Sequence, residues 1–388
     1  MKCVALVHHT GELGGGTKSL IDMANMLCER YEVIICVPKG RLLEVEFNKD
    51  NIRVKEISVV PHLNLFSGAS PIISKASLTS IKSLFGIKRF CDEINEVEPD
   101  LIVFNSIVCS VAVIGGLNTK CAVIDRETLT NKFQIRLYRN LLEKMSGVAF
   151  LCEYERKKLD INSGRKVVVL PDCVPQEDLC VDNVLKKHGK PDGIMKVLYM
   201  GGSSRLKGAE IALEAMTKVN DKVRLIVAGR FEVRRFSLKN ILIHLYNPIY
   251  CRHLIRLRKA YRKTIVLNNI EFVGQQKNIY PLIDDCDLVI FPSTKVHQPR
   301  PCIEAGYFKK PVIISDFHET REYFIEGYNA LTFRPNDSYD LADCIEYAYN
   351  HKEVMILLGE NNYLMSRKYH DYEIIKKEFN GFIDGMVY

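Results

Sequence analysis

The sequence predicts an α/β protein built from two doubly wound, parallel-sheet domains. Three observations carry that expectation. Short β-branched runs alternate with segments of helical period, as buried strands do when crossover helices cover them. The alternation stops at a polar stretch, VDNVLKKHGKPDGIMK (181–196), and then begins again. The chain has 388 residues, enough for two cores at ~100–200 residues per domain.

The elements follow in order. Cys3–Val7, Glu32–Val37, Leu101–Phe104, Ala122–Asp125 and Lys166–Leu170 read as strands of the first domain. Between the first two, Lys18–Arg30 places Leu20, Ala24 and Leu27 on one helical face. The stretch 181–196 interrupts both periods with glycine, proline and charge, so it reads as a linker. Beyond it, Val197–Met200, Val223–Ala228, Ile270–Val273, Leu288–Phe291 and Val312–Ile314 read as strands and Lys207–Lys218 as a helix. From Asp337 the pattern is helical almost to the end.

Composition narrows the function classes. No apolar run approaches the ~20 residues needed to cross a bilayer. The opening MKCVALVHHTGELGGG reads as a strand and loop rather than a signal peptide. Thirteen cysteines are scattered without a C-x-x-C spacing, which suits reduced thiols in a cytoplasmic protein and argues against a metal site. The net charge is +7, yet residues 230–263 alone carry +9, ten Lys/Arg against Glu232, so the remainder is slightly acidic. Phe231, Phe236, Leu238, Ile241 and Tyr246 are interleaved with these cations. Cationic and apolar side chains together suit an anionic membrane surface or a phosphate-bearing lipid-linked acceptor. No recognised nucleic-acid reading module accompanies them, so no nucleic-acid partner is expected. The plain alternative is a solvated helical arm or an oligomer contact.

Two glycine turns follow strands and open helices. GELGGGTKS (11–19) misses the P-loop because Thr17 stands where glycine should precede the lysine, and misses the dinucleotide fingerprint because Ser19 replaces the third glycine. GGSSRLKGAEIALEAM (201–216) sets Arg205 and Lys207 before a helix. Two cations beside free backbone donors can neutralise a diphosphate; a solvated charged turn is the plain alternative. A third segment, STKVHQPRPCIEAGYFKKPVI (293–313), delivers Glu304 to what reads as the first turn of a helix started by Pro301. The helix dipole favours a carboxylate there. The same carboxylate at a strand's carboxyl end can accept two hydroxyl hydrogen bonds from a ribose.

The ordered series VLYMGGSSRLKGAEIALEAM, VRLIVAGR, IEFVG, YPLIDDCDLVIFPS and PRPCIEAGYFKKPVIISDFHETREYFIEGYNALTFRPND resembles the retaining glycosyltransferases of family 4, which have the two-domain GT-B fold. The resemblance is strong over 195–350 and looser before it. It implies two Rossmann-like domains facing each other across a cleft: an acceptor-side domain (1–182), a donor-side domain (195–365) with a basic insertion at 230–263, and a terminal helix (366–388) returning to the first. It implies transfer of a sugar from a nucleotide-sugar donor, a UDP-sugar favoured, to a glycan or lipid-linked acceptor, with retention and with neither metal nor cofactor. The setting expected is bacterial surface polysaccharide synthesis, in the cytoplasm and peripherally on the inner face of the plasma membrane.

Residue by residue, Glu304 matches the second glutamate of the family's paired motif, Lys207 the lysine beside the diphosphate, and Gly15 and Gly16 the N-terminal glycine loop. Gly202, Arg205, Arg230, Gln298, Arg300, Pro301, Cys302 and Ile303 complete the expected donor-side set. The departures are specific. The first glutamate's position holds Val296, with Gln298 and His297 nearby as substitutes. Arg300-Pro301 replaces the usual Phe-Gly, and IDRETL (124–129) stands where relatives place a histidine. Arg126, Glu127 and His297 are therefore the catalytic candidates, with a structural ion pair as the alternative for Arg126 or Glu127. The departures also leave open a non-catalytic subunit that binds nucleotide or a partner, and less readily an epimerase on the same scaffold.

Overall fold

The computed structural model describes residues 1–12, 14–45, 47, 49–63, 75–129, 132–161, 164–174, 193–232, 248–296 and 298–388. Most of the expected linker, the 233–247 part of the basic stretch, and His297 lie outside the described residues. The chain divides into two units: Met1–Cys173 with Tyr372–Tyr388, and Val174–Asp371.

The first unit is a seven-stranded parallel sheet in the order β3-β2-β1-β4-β5-β6-β7. The strands are β1 (Lys2–Val7), β2 (Tyr31–Val37), β3 (Ile52–Glu56), β4 (Leu101–Phe104), β5 (Cys121–Asp125), β6 (Gly147–Phe150) and β7 (Lys166–Val169). Helices cover both faces, so the central strands are apolar throughout rather than alternating, and β4, β5 and β6 are buried at every position. One face packs Leu20, Ala24 and Leu27 of α1 (Gly15–Leu27). The other face carries Phe90 and Ile94 of α3 (Ile87–Asn95) and Tyr138 of α4 (Lys132–Leu142); α2 (Lys75–Leu84) and α5 (Glu153–Leu159) also belong to this unit.

α1 begins three residues earlier than the periodicity indicates. Thr17 Oγ accepts from the Gly14 N–H at 2.6 Å, and this cap offsets the poor helix propensity of the glycines. The sequence pattern also missed β3, β6 and β13 (Leu331–Phe333), which are short or carry charge at a sheet edge.

The second unit is a six-stranded parallel sheet in the order β10-β9-β8-β11-β12-β13. It comprises β8 (Met195–Tyr199), β9 (Val223–Ala228), β10 (Ile270–Gly274), β11 (Leu288–Phe291), β12 (Val312–Ser315) and β13. Its helices are α6 (Ala209–Met216), α7 (Pro248–Leu267), α8 (Tyr280–Asp285), α9 (Arg300–Tyr307), α10 (Ser338–Asn350) and α11 (Lys352–Tyr369). α6 is shorter than expected because Gly208, at φ +78°, cannot continue a helix and caps it instead.

The expected boundary at 366 moves to 372. α11 stays with the second unit because Asn362 Nδ2 donates to the carbonyls of Cys302 and Lys310, and Ser366 Oγ to that of Ile303. Gly306 lets the two helices approach: a Cβ there would collide with the Ser366 hydroxyl. Only α12 (Tyr372–Val387) belongs to the first unit, where Phe379, Phe382 and Ile383 join the α1 face and Asn380 donates to the Met26 carbonyl.

Candidate functional site

Each sheet has one topological switch point, where the chain leaves in opposite directions from two neighbouring strands. Ligands of open α/β sheets bind at the carboxyl ends of such strands. In the second unit the switch lies between β8 and β11, paired as Leu198↔Val289 and Tyr199↔Ile290. The loops leaving them are 201–208 and 292–299. Thr294 stitches them together, its N–H donating to the Leu206 carbonyl at 2.9 Å and its hydroxyl to the Arg205 carbonyl at 3.1 Å.

The glycine turn is held from behind. Gly202, at φ +53°, donates to the Ala228 carbonyl at 3.0 Å, and Ser203 to that of Arg230 at 3.1 Å. A side chain at 202 would collide with the Arg230 carbonyl. Below the turn, His253 of α7 is bonded through Nδ1 to Glu210, and its Nε2 lies 3.3 Å from the Ser203 carbonyl. Arg230 therefore supports the turn through its backbone. Its guanidinium is exposed and pairs with Glu232, so its side chain does not join the expected donor set.

Glu304 is buried in the second turn of α9, not the first, because the helix starts at Arg300 with Pro301 at its second position. The dipole argument for Glu304 gives way to a side-chain one: Arg300 Nε donates to Glu304 Oε1 at 3.2 Å, with both side chains about nine-tenths buried. The amides of Cys302 and Ile303 already donate to the Pro299 carbonyl, at 2.8 and 3.2 Å, so they are not the free backbone donors that the loop suggested. Cys302 lies wholly inside, where burial first and Glu304 second push its thiol well above the ordinary range. Gln298 is half-buried beside α9.

Lys207 is half-buried, with its ammonium 3.5 Å from the Met200 carbonyl. Desolvation holds its pKa below the ordinary lysine value and the Glu304 carboxylate partly restores it, so the two groups share one electrostatic neighbourhood. Lys295, which sequence reasoning missed, is lowered by desolvation and then by Arg205. Its only sequence signal is its place four residues after a strand end. Lys207 and Arg300 thus share one carboxylate, Glu304, while Lys295 and Arg205 adjoin each other on the two loops that Thr294 joins. That arrangement can take up the negative charge of a diphosphate while its carboxylate accepts hydroxyl protons.

The first unit's switch point lies between β1 and β4, paired as Val7↔Phe104. Gly15 and Gly16 open α1 there, and their N–H groups have no acceptor within the helix. Asn105, directly after β4, spans the switch: its Nδ2 donates to the Gly16 carbonyl at 2.8 Å, and its Oδ1 accepts from Arg126 Nε at 2.7 Å. Arg126 also donates to Asp172 at 2.6 Å, and Ser19 Oγ donates to the same carboxylate oxygen at 3.1 Å. Arg126 is therefore a strut in an ion-paired network rather than a free catalytic cation.

Glu127 is different. Burial raises its carboxyl to about 7, against the lowering effects of the Ser106 hydrogen bond and of Arg126. Asp125, deeper still, is raised well above the carboxylate range by burial. A histidine cluster that sequence reasoning passed over stands at the end of β1. The rings of His8 and His9 are 4.5 Å apart and those of His9 and His62 are 5.1 Å apart. Burial keeps His8 well below its ordinary value and His9 at about 4, and it lowers His62 as well. The HH pair at 8–9 was the available signal.

Comparison with known proteins bears on the unit that holds Glu304. Residues 181–365 match the family model described as glycosyl transferases group 1. The match covers the second unit, which is thus similar to the group 1 glycosyltransferases. A curated relative, an uncharacterised glycosyltransferase of Methanocaldococcus jannaschii, is 22% identical over 351 residues, 85% of this chain and 87% of that protein. A shorter match, 24% identical over 24% of each chain, is to an N,N'-diacetylbacillosaminyl-diphospho-undecaprenol alpha-1,3-N-acetylgalactosaminyltransferase of Campylobacter jejuni. Among solved structures, Anabaena HepE in complex with UDP and glucose superposes with a TM-score of 0.71 at 18% identity, covering 98% of this chain and 99% of that one. Sucrose-phosphate synthase of Thermosynechococcus elongatus gives 0.74 at 16% identity, covering 100% and 99%. At these identities the likeness establishes the fold alone: two Rossmann-like units, the GT-B plan.

Proposed function

We propose that the chain transfers a sugar, with retention, from a nucleoside diphosphate sugar to a hydroxyl of a glycan or lipid-linked acceptor in bacterial surface polysaccharide synthesis. The observation that carries this is the set of cations on the loops of the β8/β11 switch point, Lys207 and Arg300 about Glu304 and Lys295 beside Arg205. When the bond between the anomeric carbon and the diphosphate breaks, negative charge grows on the leaving oxygen. Cations already in place take up that charge without reorganising. The reading makes the enzyme metal-independent, since these side chains supply the charge a divalent ion would bring. Glu304 holds the ribose hydroxyls of the nucleoside. On the acceptor side, Glu127 is the group proposed to take the hydroxyl proton, because its carboxyl titrates near neutral pH. Arg126 and Asn105 hold the loop that carries it. Catalytic contact by His297 stays part of the proposal, as does contact of the donor with Gly15, Gly16 and Gln298.

A UDP-sugar is the favoured donor, supported by the UDP-bound HepE structure. A lipid-linked acceptor is supported by the diphospho-undecaprenol in the Campylobacter enzyme's name. Val296, in place of the family's first glutamate, favours one rival: a subunit that binds nucleotide without turning it over. The test is transfer or hydrolysis across a panel of UDP-, GDP-, dTDP- and ADP-sugars, with and without EDTA, beside calorimetry of UDP binding to Lys207→Ala and Glu304→Ala. Turnover insensitive to EDTA is expected, with affinity lowered ~100-fold in each variant, as for loss of a charged hydrogen-bonding partner. Nucleotide binding without turnover selects the rival. Unchanged affinity in both variants would mean that the donor site is elsewhere.

A further inference from the structure

The donor and acceptor chemistry leaves the cations of 230–263 without a task. The described part of that stretch is α7 with the three residues Arg230–Glu232. α7 buries His253, Leu257, Ala260 and Thr264, and it packs on α6. Its opposite face carries Arg252, Arg256, Lys259, Arg262 and Lys263, all exposed. Their spacing sets them along one side of the helix. No Asp or Glu occurs anywhere in α7. Among the described residues, none of these five cations has a carboxylate within ion-pair distance. Like charges three and four residues apart repel, so the face becomes favourable only against an anionic partner.

Apolar side chains share the face. Ile255 is 51% exposed, Val266 83% and Leu267 50%. A polyphosphate chain offers such groups nothing. The headgroup boundary of an anionic bilayer accepts both kinds, with phosphates against the cations and acyl chains against the aliphatic groups. No described helix is long and apolar enough to cross a membrane.

We propose that the exposed face of α7 docks on an anionic lipid surface, with the helix lying in the interface plane. One consequence rests on the donor reading above. His253 adjoins Arg252 in sequence but faces inward, with Nε2 3.3 Å from the Ser203 carbonyl. Docking therefore sets the glycine turn about one helix diameter, ~10 Å, from the lipid, within reach of a headgroup-borne acceptor.

The test is flotation with vesicles of phosphatidylglycerol and phosphatidylcholine, without donor or acceptor, so that failure of the transfer reading does not affect it. Wild type is expected to float with anionic vesicles at low salt, to be released at high salt, and to ignore pure phosphatidylcholine. Replacing the five cations with Gln is expected to lower partition ~100-fold or more while leaving UDP binding intact. A control with Lys39, Lys82, Lys88, Lys222 and Lys352→Gln removes the same charge elsewhere and is expected to float like wild type. Equal flotation of wild type and the α7 variant overturns the proposal. So does equal binding to neutral vesicles, a measurement that needs no variant to fold. Retention on single-stranded DNA or polyphosphate without flotation also overturns it, in favour of a polyanion partner.

Discussion

His9 offers a test in which one protonation event is read as stability. Its ring lies between those of His8 and His62, and burial, then repulsion from His62, holds its pKa at about 4 against an ordinary 6.5. The unfolded chain therefore takes up the proton first. The stability owed to a neutral His9 is complete above 6.5, falls as the pH drops from 6.5 to 4, and is gone below that. At pH 5 the unfolded residue is almost wholly protonated and the folded one almost wholly neutral, a difference of about 2 kcal/mol. The whole-protein curve does not isolate this. Glu127, raised to about 7, and Asp125, raised further, titrate in the opposite sense and gain stability as the pH falls. His9→Phe keeps an aromatic ring in place and cannot titrate, so the difference between wild type and variant cancels the carboxyls. Thermal melts at pH 7.5 and pH 5 should show the variant gaining about 4–8 °C on wild type at the lower pH, at roughly 2–4 °C per kcal/mol for a unit of this size. If the two proteins keep the same separation at both pH values, His9 is not held neutral by the fold, and the argument from its burial fails.

Two further outcomes follow from the sites. Gly202→Ala forces a side chain into φ +53° and against the Arg230 carbonyl; melting should report a loss of about 2 kcal/mol or more, with weaker UDP binding, and an unchanged melt would mean that the turn is not fixed as described. If Glu127 takes the acceptor proton, kcat/KM should fall as the pH drops through about 7, because only the carboxylate is a base, and Glu127→Gln should be slow at every pH with no inflection there. A wild-type profile flat from pH 6 to 8 removes Glu127 from that role.

The central strands and both glycine turns were legible because their signals are local. A strand buried on both faces must be apolar throughout, as in LIVF at Leu101–Phe104, and a turn at positive φ must be glycine, as at Gly202. Glu304 was found through the order of motifs around it. Its pairing with Arg300 was not legible, since the helix start that puts these two side chains together, four residues apart, depends on Pro299 as cap. Lys295, Asn105 and Asp172 carried no motif. Each matters because of what a crossover brings beside it, as when Asp172 meets Arg126 across 46 positions.

The order of apolar runs, and the positions where only glycine can turn the chain, set the architecture of two parallel sheets, since each follows from the covalent preferences of a few consecutive residues. Which charges meet was decided only in three dimensions. Desolvation and Coulomb attraction depend on distance through space, and the sheet order that joins β8 to β11 and β1 to β4 sets those distances for Lys207, Glu304 and Arg126.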